Sequence, residues 1–312
     1  MDDAHRWMHL ARRGELEAAW VISDRIRRRT ATFGDPSLPR HLQPIWDGTP
    51  LDHRRVLVRC YHGLGDTIQF SRYLPELCRR ADTVIVWAQA ALLPLLHTLD
   101  ADVRWLALHD GEPDADYDVD IEIMELPYAF RSTLGTIPAS VPYLKAPPHP
   151  PGPAPRVGIV WRGGNWDGDR SIPFECLLPL FDEKAVNWYA LQLDPRDDER
   201  HERLVRLAAS PITVAAELTA AMDLVLSIDS MAAHLAGALA VPVWTLLRRN
   251  ADWRWMVQRS DSPWYPTMRL FRQPSPGEWQ AVVSSVLEAL RAIDWSRQPR
   301  PSMRGSEVMS SA

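Results

Sequence analysis

The chain has 312 residues, 46% hydrophobic and 24% charged, with a formal net charge of −5, an ordinary soluble globular profile long enough for about two domains. The slightly acidic balance argues against a nucleic-acid scaffold, no apolar run reaches the ~18 residues of a membrane span, and the stretch MDDAHRWMHLARRGE lacks the apolar core of a signal peptide. Three scattered cysteines, Cys60, Cys78 and Cys176, have no metal-ligand spacing, so reduced thiols and a cytoplasmic location are expected.

Residues 3–29 read as two short helices around Gly14. The second carries the helical stripe Leu16, Ala19, Ile22 and Ile26 and ends in Arg27-Arg28-Arg29, which suits a helix C-terminus better than a nucleic-acid patch. Residues 31–54 form a connection with a turn at Trp46-Asp47-Gly48, so 1–50 is a helical N-terminal extension and its connection. Strand and helix then alternate. Apolar runs at 56–60, 83–87, 103–107 and 117–123 predict strands, with helices starting at Thr67 and running to about residue 99 between them. This is the pattern of a parallel, doubly wound, Rossmann-like domain over 51–146.

Residues 147–155 are almost pure proline and predict a linker or hinge. A second Rossmann-like domain is expected over 156–295. It opens with a strand at 156–161 and a polar loop at 162–170. A helix over 174–181, a strand over 187–193 and a charged helix over 197–209 follow. Residues 224–247 read as strand, sharp turn, helix and strand, and 277–293 as a last amphipathic helix. The Ser-, Arg- and Pro-rich tail 296–312 is expected to be disordered.

Four stretches could carry chemistry. In Gly63-Leu64-Gly65-Asp66 the glycines follow a strand and let a ligand approach the backbone, but a third glycine is missing, so NAD binding is not supported. Asp66 is either a helix N-cap or a general base for an acceptor hydroxyl, with His62 a second candidate base at the same rim. Trp161-Arg162-Gly163-Gly164-Asn165 could hold a phosphate or sugar. Arg170 could neutralise a diphosphate or pair with Asp167 or Asp169. The helix that starts after Asp229-Ser230 has free N–H groups and a positive dipole end that favour phosphate. His234 lies one turn further in, on the face of Ser230, or is simply a core histidine. Asp114, Asp116, Asp118 and Asp120 alternate, as on the wet face of an edge strand, and no metal site is expected.

Five strings in fixed order, GLGDTIQFSRYLPEL, VPYL, VGIVWRGGNWDGDRSIPF, LSIDSMAAHLAGALAVPVW and DWRWMVQRSDSPWYPTMRLFRQ, resemble one family. They look like the catalytic part of bacterial tetratricopeptide-repeat glycosyltransferases, related to the ADP-heptose:lipopolysaccharide heptosyltransferases. The resemblance runs from about Trp46 to Leu290. It implies a GT-B fold, two Rossmann-like domains facing across a cleft, with the nucleotide sugar on the C-terminal one. It further implies inverting transfer without metal or cofactor, from a nucleotide-sugar donor to a small-molecule or glycan acceptor. By the resemblance Asp66 is the base, Gly63, Leu64 and Gly65 line the acceptor side, and Arg170 contacts the diphosphate. Trp161, Arg162, Gly163, Gly164, Asn165, Gln192, Asp229, Ser230, Met231 and His234 then line the donor side, and residues 5–29 resemble the last repeat helices. The chain departs from the family pattern at Met231, where heptosyltransferases usually have Gly, and at Tyr61-His62, where repeat-bearing members often have Glu-Gln. The alternative is a non-catalytic sugar-nucleotide binding or scaffold protein on the same fold.

Overall fold

The computed structural model describes residues 2–30, 46–164 and 168–296. Two N-terminal helices, α1 (Asp3–Arg12) and α2 (Leu16–Thr30), are followed by β1 (Arg55–Arg59), α3 (Leu64–Phe70), α4 (Leu74–Cys78), β2 (Thr83–Ala88), α5 (Leu93–Leu96), β3 (Val103–Ala107), β4 (Val119–Glu122) and α6 (Leu126–Ala129). The second half contains β5 (Arg156–Val160), α7 (Phe174–Phe181), β6 (Asn187–Ala190), β7 (Leu204–Arg206), α8 (Ile212–Ala220), β8 (Leu224–Ile228), α9 (Met231–Ala238), β9 (Val243–Leu247), β10 (Met268–Arg272) and α10 (Trp279–Arg291). The strands form two all-parallel sheets, ordered β3-β2-β1-β4 and β10-β9-β8-β5-β6-β7. β8 and β9 are buried along their whole length, as expected for central strands of a parallel sheet covered on both faces.

The two halves share one continuous apolar core. It runs from Val56, Val58 and Val86 of the first sheet, through Ile68 and Phe70 of α3, to Leu235 and Ala236 of α9 and on to Trp255, Trp264 and Tyr265. α3 meets α9 directly. A Cβ on Gly65 would lie 2.9 Å from the His234 ring and 3.2 Å from the Met231 Cα, so only glycine lets the helix starts approach this closely. Arg72, 3% exposed, ties the halves as well: it donates to the carbonyls of Gln69, Pro138 and Trp264 and to the Tyr143 hydroxyl, and its guanidinium lies 4.3 Å from the Tyr265 ring.

The hairpin of α1 and α2 spans both halves. Trp7 packs edge-on against Trp253 at 5.5 Å, and the Val257 N–H donates to the Arg12 carbonyl. On the other side the Trp20 indole donates to the Ser132 carbonyl at 2.7 Å, and Asp24 accepts from Tyr128 and Arg131.

Several expectations are corrected. The charged stretch 197–209 is not a helix; it is a turn region followed by β7. Its side chains bond nearby backbone instead: Glu199 accepts the Arg196 N–H, Arg200 donates to the Asp197 carbonyl, and Arg203 reaches the carbonyls of Phe181 and Asp182. Such local bonds compete with helix formation. The helix lies later, as α8 after Pro211. β10 was also not anticipated from the sequence. The strand expected over 187–193 stops at Ala190. The alternating acids do border an edge strand, β4, but three of them pair with arginines: Asp116 and Asp118 with Arg55, and Asp120 with Arg59 at 2.6 Å. Hydrogen bonds from Arg55 bring Asp118 down to about 2. The proline stretch is fastened to the second half. The His149 N–H donates to the Glu217 carbonyl, and the Pro153 carbonyl accepts from Asn187 and the Tyr189 hydroxyl. The expected tail lies outside the described residues except for Ser296, and much of the 31–54 connection, residues 31–45, lies outside them as well. No helix among the described residues is long and apolar enough to cross a membrane.

Candidate active site

The carboxyl ends of the two sheets face each other through α3 and α9. On the first side, β1 runs into Tyr61-His62-Gly63 and α3 begins. The Asp66 carboxylate turns back to accept the Gly63 N–H at 3.1 Å, which is the N-terminal role open to an acid at this position. Its other oxygen accepts from Arg254 at 2.7 Å. His62 is bonded to Glu122 at 2.8 Å. That bond raises the His62 pKa, with the charges of Glu122, Asp66 and Glu125 adding to it.

Arg254 is the centre of the arrangement. It sits in a short helical turn, Trp253–Trp255, between β9 and β10. Its guanidinium donates to Asp66, to Gln69 at 2.7 Å and to Asp252 at 2.8 Å, and its side chain is 7% exposed. Burial would lower its pKa, but the carboxylates of Asp252, Asp66 and Asp229 outweigh burial and raise it. One cation from the second half thus holds the candidate base of the first.

On the second side, β8 runs into Asp229-Ser230 and α9 starts. Ser230 caps α9, its hydroxyl accepting from the Ala232 N–H at 3.3 Å and meeting the Ser227 hydroxyl at 3.1 Å. Burial raises the Asp229 pKa. Arg170, which ends a short helical turn after the loop of β5, donates to the Asp229 carbonyl at 3.0 Å. A Cβ on Gly163 would lie 3.4 Å from the Arg170 guanidinium, so the bare Gly163 backbone, Arg170 and the α9 start come together. The Gly163 N–H is held by the Ser171 hydroxyl at 3.2 Å. Gly164 is exposed. Asn165 lies outside the described residues.

Other expected donor-side residues are placed as supports. Gln192, 5% exposed, accepts the N–H groups of Trp161 and Arg162 and donates to the carbonyls of Arg162 and Leu193, which fixes the loop. The Trp161 side chain is 1% exposed and packs on Phe174. Arg162 is turned towards Glu199. His234 is 2% exposed, stacked on Trp255 at 5.3 Å and bonded to the Tyr265 hydroxyl at 3.0 Å. Burial, then the charges of Arg254, Arg72 and Arg170, hold it well below its ordinary value. It is a neutral core histidine at the α3–α9 contact, and of the two sequence readings this placement matches the core one. Leu64 and Met231 pack against the shared core, half-buried.

Arg254 lies in one of the five family-like strings, but nothing local marks its role, because its partners Asp66 and Gln69 stand 188 and 185 positions away. The only local signal is a charge set between two tryptophans, and all three residues are buried in the short helical turn. Glu122 was passed over because its partner His62 is distant in sequence.

With the geometry in view, the class of fold is recognisable. The structure resembles a glycosyl transferase family 9 protein of Veillonella parvula (TM-score 0.54, 11% identity, 79% of this chain and 92% of that one). It also resembles the E. coli heptosyltransferase WaaC with ADP-2-deoxy-2-fluoro heptose (TM-score 0.51, 14% identity, 76% of this chain and 99% of that one). The fold is GT-B, as the sequence implied. Among curated proteins the chain is similar to Protein FlbA of Caulobacter vibrioides, 26% identical over 295 residues. That match covers 79% of this chain and 48% of FlbA, so the chain spans about half the length of this relative. No protein-family model matches the chain.

Proposed function

We propose that the protein transfers a sugar from a nucleoside diphosphate sugar to an acceptor hydroxyl, with inversion and without a metal. The observation that carries this reading is the convergence of Arg170, the Gly163 backbone and the capped start of α9 on one side, opposite Asp66 on the other. A helix N-terminus beside a guanidinium favours a diphosphate and stabilises the charge that departs with it. Asp66 acts as general base: the acceptor hydroxyl replaces Arg254 on its carboxylate and gives up its proton as it attacks the anomeric carbon. His62, paired with Glu122, is the other base within the same rim. The likeness to a heptosyltransferase solved with an ADP-sugar analogue supports a nucleotide-sugar donor. In this reading α1 and α2 are the end of a helical repeat array, and reduced cysteines and a nucleotide-sugar donor fit a cytoplasmic site of action.

One observation favours the second reading, a non-catalytic sugar-nucleotide binding or scaffold protein. Both Asp66 oxygens are engaged, and α3 sits directly on the start of α9. Calorimetry with ADP, GDP, UDP and dTDP, with and without EDTA, followed by turnover of the matching nucleotide sugars, separates the readings. The transferase reading expects one nucleotide to bind regardless of EDTA, and turnover that Asp66→Asn removes. Binding without turnover under any condition supports the scaffold, and no binding at all refutes both.

A further inference from the structure

The first sheet carries an arrangement that the transfer chemistry leaves unused. Along β1, Val56, Val58 and Cys60 enter the shared core, whereas Leu57, Arg59 and Tyr61 alternate onto the opposite face. There Leu57, Ile85 and Trp87 form a separate small cluster packed by Tyr117. Arg59, 5% exposed, is spent on three partners: Asp120 at 2.6 Å, the Tyr61 hydroxyl at 2.6 Å and the Tyr117 hydroxyl at 2.8 Å. Tyr61 stands edge-on to Trp87 at 6.0 Å, and Trp87 edge-on to His109 at 5.3 Å. Trp87 is buried, and its indole donates to the Ala107 carbonyl. Tyr61 is 39% exposed, and His109 is exposed.

We infer that Tyr61 and His109, held on Trp87 and Arg59, form a platform for an uncharged sugar ring of the acceptor. The inference rests on the transferase reading and adds the acceptor's chemical class. Three features select that class. The platform adjoins His62 and the start of α3, at the end of the sheet where α/β folds bind ligands. Tyr61 is held by Arg59 and Trp87, and His109 by Trp87 and the Asp110 carbonyl, so ordering these part-exposed rings around a ligand costs little further rotamer entropy. The local charge disfavours an anion: Arg59 is already neutralised by Asp120, and the adjoining loop presents Asp110, Glu112 and Asp114 as exposed carboxylates, with Asp116 beside Arg55 at 3.6 Å. Such carboxylates accept hydrogen bonds from sugar hydroxyls and repel a phosphate or uronate. A basic peptide is the competing occupant; it would be attracted by charge and released by salt, whereas ring stacking is insensitive to salt.

Saturation-transfer NMR on the intact protein tests this with three neutral tetrasaccharides (maltotetraose, cellotetraose and N-acetylated chitotetraose), an acidic oligogalacturonate and an oligolysine. At least one neutral sugar should receive saturation, unchanged between low and high salt. Tyr61→Ala or His109→Ala should weaken it by about tenfold, the loss of one stacked ring, while Tyr61→Phe retains it. The inference is overturned if no neutral sugar binds, if the alanine variants bind equally well, or if oligogalacturonate or oligolysine is preferred. A thermal-shift series with ADP, GDP, UDP and dTDP on the same samples keeps the two readings apart. A nucleotide shift without sugar binding sinks the platform alone, and absence of any nucleotide shift sinks the transferase reading.

Discussion

The two sheet ends that meet through α3 and α9 are made of different material. The first is built from side chains already bonded to one another: Asp66 to Arg254, His62 to Glu122, Arg59 to Asp120. The second is built largely from backbone, a bare glycine and a capped helix start, with Arg170 resting on a carbonyl. A paired side-chain site is selective but must part before it can react. The second end is held by weaker bonds to neutral groups: the Gly163 N–H to Ser171, the Ala232 N–H to Ser230, and Arg170 to the Asp229 carbonyl.

The largest effect should come from removing the proposed base, Asp66. Asp66→Asn keeps the size and the Gly63 contact, so we expect folding and nucleotide affinity to persist while turnover falls by about 10²–10⁴-fold, with a smaller loss in His62→Ala. If His62→Ala abolishes turnover and Asp66→Asn does not, the base has been misassigned between these neighbours. Next in size is Arg254→Ala. It leaves the carboxylates of Asp66, Asp252 and Asp229 without their common cation and should cost about 3–5 kcal/mol in urea unfolding, as for a broken buried pair. Much of that cost should be absent when Arg254→Ala is made in the Asp66→Asn background; strict additivity would deny the coupling across the cleft.

Arg170→Ala probes the other end and should weaken nucleoside diphosphate binding by about 1.5–3 kcal/mol, read by calorimetry, with little change in stability. Gly65→Ala forces a methyl against His234 and Met231. It should destabilise by about 1–3 kcal/mol, the usual cost of overpacking, and a melting temperature equal to wild type would mean the helix starts do not touch in solution.

The smallest effects are in pH, and they have opposite signs at the two ends. His62 is raised by Glu122, so its contribution is complete below about pH 6.5 and fades as pH rises through the higher folded value. His234 is held low by burial; the unfolded chain then binds the extra proton, so stability is complete above about pH 6.5 and falls as pH drops. Melting curves across this range for Glu122→Gln and His234→Gln should lose the respective slopes.

Legibility in the sequence followed the same division. The backbone-built end was readable because its signals are local: an apolar strand, a Ser cap, an Ala-rich helix and two glycines lie in short unbroken strings. The first-sheet strands were readable for the same reason. The ion pairs were not, since Asp66 and Arg254, or His62 and Glu122, become neighbours only after both sheets have formed. The charged segment 197–209 misled because acids and bases in helical company here bond backbone locally, while α8 was hidden by Ile212, Thr213 and Val214, which favour strands.

The α1–α2 hairpin has a mechanical consequence. It is pinned at Ser132 on one side of the cleft and at Trp253 and Val257 on the other. A pair of helices does not stretch, so the hairpin works as a stay between two leaves. Any swing of one leaf away from the other is limited by its length unless one anchor lets go. Tension applied to the hairpin would be felt at Arg254, one residue from the Trp253 anchor.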